Sequence, residues 1–388
     1  MAGPADINTV LKRVRDLVPV IRMRREEIER ARQLPRDLVQ QLRETGVFSL
    51  TIPRMLGGLE AAPVEVMRAI EAAATGDGST GWCVMVATGN NVAAGYMSED
   101  GAREVYASPE APSAGLAAPA GKATRVDGGV RVQGRWPFAS GITHCDWVWA
   151  GCVVTAKGKP KMTSHGPEII HVCMPVKDVV IHDTWSVSGL CGTGSHDFST
   201  SDLFVPDKRI FALIDPSGHR SEPLYQMPPL GLFVYQLACV SLGIGRAALD
   251  EFIELAAKKV PSLYTQPLAD KAATHIGLAH AEAALGGARA FLYEAVDDLW
   301  HSVSAKHPPT PRQLALARAA CTQAVEAGAA AARTASTLAA GSALYTSSSL
   351  QRHVRDAEAV THHFTVAPHT WEEAGRVLMG RDPIAPVF

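Results

Sequence analysis

The amino-acid sequence predicts an α+β protein that is mainly α: helices, then a block of short strands, then helices again. Three observations predict it. Apolar residues recur at helical spacing through roughly the first hundred residues and again from about Pro229 onward. Between Ser113 and about Val205, short β-branched and aromatic runs are punctuated by Gly, Pro and Asp. The last third is dense in Ala and Gly, which lets helices pack at close range as a bundle.

The elements follow in order. Pro35 opens a helix carrying Leu38, Val39 and Leu42, and Gly46 stops it. The segment TIPRMLGGLEAAP is a loop before a helix from Val64 to Ala74. Helical character continues from Thr80 to Met97, weakest at Gly89-Asn90-Asn91, and from Glu99 to Ala107. VDGG at 126–129 is a hairpin signal. WVWAGCVV, EIIHVCMPV, DVVIHD and STSDLFVP supply further strands, suited to a small barrel or folded sheet. Tyr235 to Lys259 is apolar nearly all round and predicts a deeply buried or intersubunit helix. Leu268–Ser304, Pro311–Ala340, Ser348–His363 and Trp371–Met379 complete the helices. The division expected is an N-terminal helical domain (1–112), a middle β domain (113–225) and a C-terminal helical bundle (226–388).

Composition narrows the function classes. The 388 residues hold 37 Lys+Arg against 39 Asp+Glu, which gives no electrostatic footprint for nucleic acid or an anionic membrane. The N-terminus lacks an apolar signal core, and no uninterrupted apolar stretch reaches membrane-spanning length. Seven scattered Cys without a CxxC pair argue against a disulfide framework. These features read as a soluble, cytoplasmic protein. No GxGxxG follows a strand, so NAD(P)H chemistry falls to a partner. His144, Cys145 and Asp146 alternate faces on an extended segment and do not converge on a metal.

Two segments hold the chemistry. RWPFASG at 135–141 places an aromatic wall and a hydroxyl between strand-like stretches. RDAEAVTHH at 355–363 ends a helix in His362-His363, with no carboxylate at that end; Glu358 falls early. As ordinary structure, these would be a turn Ser, a core Phe and a satisfied helix-end His. Arg355 and Asp356 read as a structural pair at a helix surface or subunit contact.

With LPRDLVQQLRETGVFSLTIPRMLGGLE at 34–60, GLCGTGSHDFSTSDLFVP at 189–206 and QLACVSLGIGRAALDEF at 236–252, the chain resembles the acyl-CoA dehydrogenase superfamily over essentially its whole length. That resemblance implies a middle β-barrel domain and a C-terminal four-helix bundle. GRWPFASGITHCDW at 134–147 and LQRHVRDAEAVTHH at 350–363 are similar to oxygenase components of two-component flavin-dependent monooxygenases, which act on 4-hydroxyphenylacetate, a steroid-derived phenol or dibenzothiophene. The resemblance implies reduced flavin (FAD or FMN) and O2 as cofactors, a C4a-hydroperoxyflavin as oxygen donor, a separate NAD(P)H:flavin reductase and a homotetramer.

By the same resemblance, Ser140 faces flavin N5, Phe138 walls the ring and Trp136 stands beside it. Thr193 and Ser195 form a small-residue loop that either approaches the flavin or only turns the chain. Gly341 and Ser342 fall where relatives bring a neighbouring subunit's loop to the cofactor. His363 falls at the C4a edge, able to donate to the distal oxygen or to accept a proton from substrate. Asn90, Ser113 and His362 fall on the substrate side. Asn90 stands where the phenol hydroxylases have a His, and a carboxamide cannot take up a proton. The substrate expected is therefore a small aromatic, with indole or indoleacetate ahead of phenols. The alternatives are an acyl-CoA dehydrogenase, which needs a carboxylate base, and an N- or S-oxygenase on the same fold.

Overall fold

The computed structural model describes residues 6–384 apart from 165, 216–219 and 263. Helices α1 (Ile7–Met23), α2 (Arg25–Ala31), α3 (Arg36–Thr45), α4 (Pro63–Gly76), α5 (Gly78–Asn91) and α6 (Glu99–Val105) come first. Asp6 caps α1 by accepting the Thr9 N–H, and Val10, Val14, Leu17 and Ile21 form its buried stripe. Gly46 ends α3 at φ +85°. α5 is buried along almost its entire length and stops at Asn91, where a 3-10 turn from Val92 to Gly95 takes over.

The strands are β1 (Ser113–Val126), β2 (Gly129–Ala139), β3 (Trp147–Ala156), β4 (Lys159–Pro160), β5 (Met162–Thr163), β6 (Gly166–Pro167), β7 (Ile169–Pro175), β8 (Val180–His182), β9 (His196–Pro206) and β10 (Ile210–Phe211). The main sheet runs β10-β7-β3-β1-β2-β9-β8, with β4 added to β3 and β5-β6 as a separate ribbon. β1 pairs with β3 in parallel and the other ladders are antiparallel. The hairpin expected at 126–129 forms, with Val126 opposite Gly129. The sheet curls around a core of Val130, Trp136, Val148, Val172 and Phe198. Its edge strands β8 and β10 do not pair with each other among the described residues, so the barrel read from the sequence is an open one.

Helices α7 (Pro223–Gln226), α8 (Pro229–Lys258), α9 (Ala272–Ser304), α10 (Pro311–Ala339), α11 (Ser349–Thr361) and α12 (His369–Leu378) follow. α8 is long and apolar enough to span a bilayer, with mean hydropathy 1.5, contrary to the reading of the sequence; 89% of that window is buried inside the protein. Its neighbours are α10, α4, α5 and α11. The helices of both chain ends share one core, in which Met67, Ile70 and Val84 join Leu237, Val240 and Ala324. Burial of so many apolar side chains is the main favourable term holding strands and helices in place.

Candidate active site

The site is assembled from α5, the turn after β2, the loop before β9 and the residues that follow α11. At the start of α5, Asp77 accepts the Thr80 backbone N–H at 2.7 Å and the Thr80 hydroxyl at 2.9 Å. Trp82 stands one turn in, 9% exposed, and its indole N–H donates to Ser140 Oγ at 3.0 Å. Ser140 Oγ lies 2.7 Å from Ser195 Oγ, which lies 2.7 Å from Thr193 Oγ1. Thr193 in turn donates to the Leu190 carbonyl at 2.9 Å.

Each hydroxyl has one proton, and that fixes the direction of the string. Thr193 gives its proton to Leu190, so Ser195 gives to Thr193 and Ser140 gives to Ser195. Ser140 receives the Trp82 N–H and keeps one lone pair. Toward any further partner it is an acceptor.

Trp82 also meets His363 edge to face, with ring centroids 6.0 Å apart. Phe233 of α8 lies 5.7 Å from the same imidazole and Phe364 stacks at 5.1 Å. His363 Nδ1 is 2.8 Å from Thr365 Oγ1 and accepts the Thr365 backbone N–H at 3.4 Å. Burial, with the Arg318 charge adding to it, lowers the pKa of His363 to about 4. The ring is therefore neutral near pH 7, and with Nδ1 accepting, its proton sits on Nε2. That Nε2–H donates to no group among the described residues.

The loop holding Thr193 and Ser195 is pinned from α11. Asp356 Oδ1 accepts the Leu190 N–H at 2.6 Å, and Arg355 donates to the Ser188 carbonyl. Asp356 is wholly buried, not at a surface as the sequence suggested, and burial beside Asp77 raises its pKa to about 7. A Cβ at Gly189 would fall 2.1 Å from the Arg355 carbonyl oxygen, so only glycine passes there.

Phe138 sits at φ +61°, a strained conformation for a non-glycine residue, with its ring 62% exposed. It meets Trp185 edge-on at 6.2 Å. An open apolar face two residues before an acceptor hydroxyl, with Trp82 joining that hydroxyl to a neutral imidazole, fits a flavin ring. Bound there, the flavin supplies the oxygen-activating chemistry.

Other residues expected at the site fall elsewhere. Trp136 is a correction: it is fully buried in the sheet core, stacked on Phe198 at 5.1 Å, with its N–H on the Gly151 carbonyl. Alternation along β2 turns it inward. His363 is not a helical neighbour of His362. α11 ends at Thr361, His362 is its exposed cap, and His363 opens the next turn with extended backbone. Gly341 and Ser342 lie in the 3-10 turn Ala340–Ala343 after α10. Glu358 points to solvent and pairs with Arg333 at 2.7 Å. Asn90 and Ser113 do meet: Asn90 Nδ2 donates to the Ser113 carbonyl at 3.2 Å, and the Ser113 hydroxyl donates to Asn91 Oδ1 at 2.6 Å. Sequence reasoning missed Trp82, Phe233 and Asp77. An aromatic in a small apolar helix looks the same in sequence whether it packs a core or a site.

The chain matches the family model for the acyl-CoA dehydrogenase N-terminal domain over residues 6–107 and that for the C-terminal domain over 235–368. It is a member of the acyl-CoA dehydrogenase family. It is 33% identical to an indole-3-acetate monooxygenase of Pseudomonas putida over 99% of this chain and 95% of that protein. It is 30% identical to the oxygenase subunit HsaA, a flavin-dependent monooxygenase of Rhodococcus jostii, over 66% of this chain and 67% of that one. The structure of the HsaA monooxygenase from M. tuberculosis superposes with a TM-score of 0.90 at 27% identity, covering 99% and 100% of the two chains. XiaF from Streptomyces sp., crystallised with FADH2 and glycerol, gives a TM-score of 0.89 at 26% identity over 98% of each chain. Among these family members, the chain is the oxygenase component of a two-component flavin-dependent monooxygenase, with reduced flavin and O2 as cofactors. A separate reductase and a small substrate are its partners.

Proposed function

We propose that this oxygenase inserts one oxygen atom into a small aromatic ring, with indole or indole-3-acetate preferred to phenols. One observation supports the preference above the others: among the described residues, the walls around His363 offer hydrogen-bond donors and apolar faces but no base. His363 is neutral with Nδ1 occupied, Asn90 is a carboxamide, and Glu358 is paired with Arg333 in solvent. A phenol needs its proton removed to become a strong nucleophile at carbon, whereas an indole is electron-rich without ionising. The missing carboxylate speaks equally against acyl thioester dehydrogenation.

In this reading the residues divide the work. Ser140, held by Trp82 and the Ser195-Thr193 string, offers its free lone pair to the flavin N5–H and retards loss of that proton. His363 donates from Nε2 toward the departing oxygen. Phe138 walls the ring, and Phe233 and Asn90 line the substrate side. Burial of the hydroxyl string keeps water out, so oxygen goes to substrate instead of leaving as peroxide.

A cytoplasmic homotetramer completes the proposal. α9 leaves Ala283, Ala284, Gly286, Gly287 and Ala290 exposed, and a Cβ at either glycine meets nothing among the described residues. Beyond Gly341 and Ser342, Leu344 is 83% and Tyr345 70% exposed, as suits a loop that reaches a neighbouring subunit's cofactor. The deciding experiment supplies chemically reduced flavin and O2 and screens indole, indole-3-acetate, phenols, amines and an acyl thioester by product mass. Oxygenated indoles support the reading; oxidation of phenols alone, or of the thioester, overturns it.

A further inference from the structure

Arg318 is a half-buried cation that nothing described above uses. It lies on α10 one turn before Thr322, whose hydroxyl meets the Thr370 hydroxyl at 2.6 Å and fixes that face of α10 against α12. α10 also packs on the turn Phe364–Val366 that directly follows His363. Nε and Nη1 of Arg318 are both shut off from solvent, and neither has a hydrogen-bond partner among the described residues. The titratable groups around it are Tyr235, Cys321, Glu373 and His363. Burial pushes the Tyr235 hydroxyl up and the Cys321 thiol to about 12, so neither supplies an anion near pH 7. Glu373 accepts the Ile384 N–H at 2.7 Å and does not bond those two nitrogens.

A guanidinium cannot shed its charge by losing a proton at any physiological pH. The Glu373 carboxylate offsets part of that charge from nearby, but shutting two guanidinium N–H donors off from water without a hydrogen bond is unfavourable, and such donors are commonly held for a ligand. Arginine is also the side chain best matched to a carboxylate. We infer that Arg318 anchors an anionic group on the substrate, a carboxylate carried on a short arm from the aromatic ring that lies beside His363. The inference rests on the proposed reading that such a ring is oxygenated there. The ring then sits among Trp82, Phe233 and His363, and the arm extends under the α11–α12 connection toward α10. Neutral indole fills the first part and leaves Arg318 unpaired; indole-3-acetate fills both.

The test compares Arg318→Met and Arg318→Lys with the unaltered enzyme, each loaded with reduced flavin under nitrogen and titrated calorimetrically with indole-3-acetate and with indole. The unaltered enzyme binds the acetate more tightly. Arg318→Met lowers the ratio of acetate to indole affinity roughly tenfold to a hundredfold, and Arg318→Lys lowers it less. The melting temperature without substrate stays level or rises in Arg318→Met, because the two enclosed N–H donors removed had no hydrogen-bond partner; a fall there would reveal a structural bond and overturn the inference. Equal weakening for both ligands, or an unchanged ratio, would also overturn it. A loss confined to flavin affinity would make the anion a cofactor phosphate and overturn it too. Oxygenation of neither indole would defeat the proposed function, while the two binding constants would still decide Arg318.

Discussion

At Ser140 and His363, the protons present determine what the side chains can do. Ser140 gives its proton to Ser195, so in the proposed role it would meet the cofactor as an acceptor. Ser140→Ala removes that acceptor, and the peroxide released per reduced flavin should rise several-fold while flavin binding persists; unchanged peroxide yield would mean the hydroxyl does not face the reacting edge. His363→Ala should likewise cut product per flavin without unfolding the chain, and intact coupling would remove His363 from the mechanism. The pH dependence has a definite sign. With its pKa lowered to about 4, His363 stays neutral above about pH 5, so coupling should be flat from pH 5.5 to 8. An inflection near pH 6.5 that vanishes in His363→Ala would contradict the burial argument. The unfolded chain takes up this proton first as pH falls through about 6.5, so the buried imidazole lowers stability between about pH 6.5 and 4.

Helix α5 and the loop 188–195 act as a unit because two buried carboxylates hold them. Asp77 caps α5 and Asp356 holds the loop through Leu190. A Cβ at Gly78, the first residue of α5, would lie 3.0 Å from Asp356 Oδ2, so both carboxylates stand at the same helix start. Burial and mutual repulsion raise Asp356 from 3.8 to about 7. The native state therefore keeps a proton that the unfolded chain has already lost, and stability falls as pH rises from about 4 to 7. Asp356→Asn keeps an acceptor for Leu190 and cannot ionise. Its melting temperature should exceed that of the unaltered chain at pH 8, on the order of 2 °C, and match it near pH 4. A lower melting temperature at pH 8 would show that the ionised pair stabilises the fold. Gly189→Ala tests the same unit differently: the added methyl collides with α11 backbone, so melting temperature should drop and peroxide yield should rise together.

For the whole molecule, the apolar helix α8 is the axis on which α4, α5, α10 and α11 pack, and it brings Phe233 to His363. On the small exposed face of α9, a Cβ at Gly286 or Gly287 meets no atom among the described residues. Gly287→Glu should fold normally and sediment as a smaller species than the unaltered protein; an unchanged sedimentation coefficient would place the subunit contact elsewhere.

The sequence by itself determined the order of helices, strands and helices, the turn at 126–129, and the presence of Ser140 and His363 without a carboxylate at that helix end. Those features rest on local periodicity, turn chemistry and residue type, which neighbours in the chain specify. Only the tertiary structure decided that Trp136 packs inside the sheet while Trp82, 58 residues from Ser140, holds the Ser140 hydroxyl. It also moved His363 off the helix, enclosed Asp356 and left two Arg318 nitrogens without a hydrogen bond among the described residues. The reason is physical: burial, the direction of a hydroxyl proton and a donor left without an acceptor are properties of surroundings gathered from distant segments, and no single segment contains them.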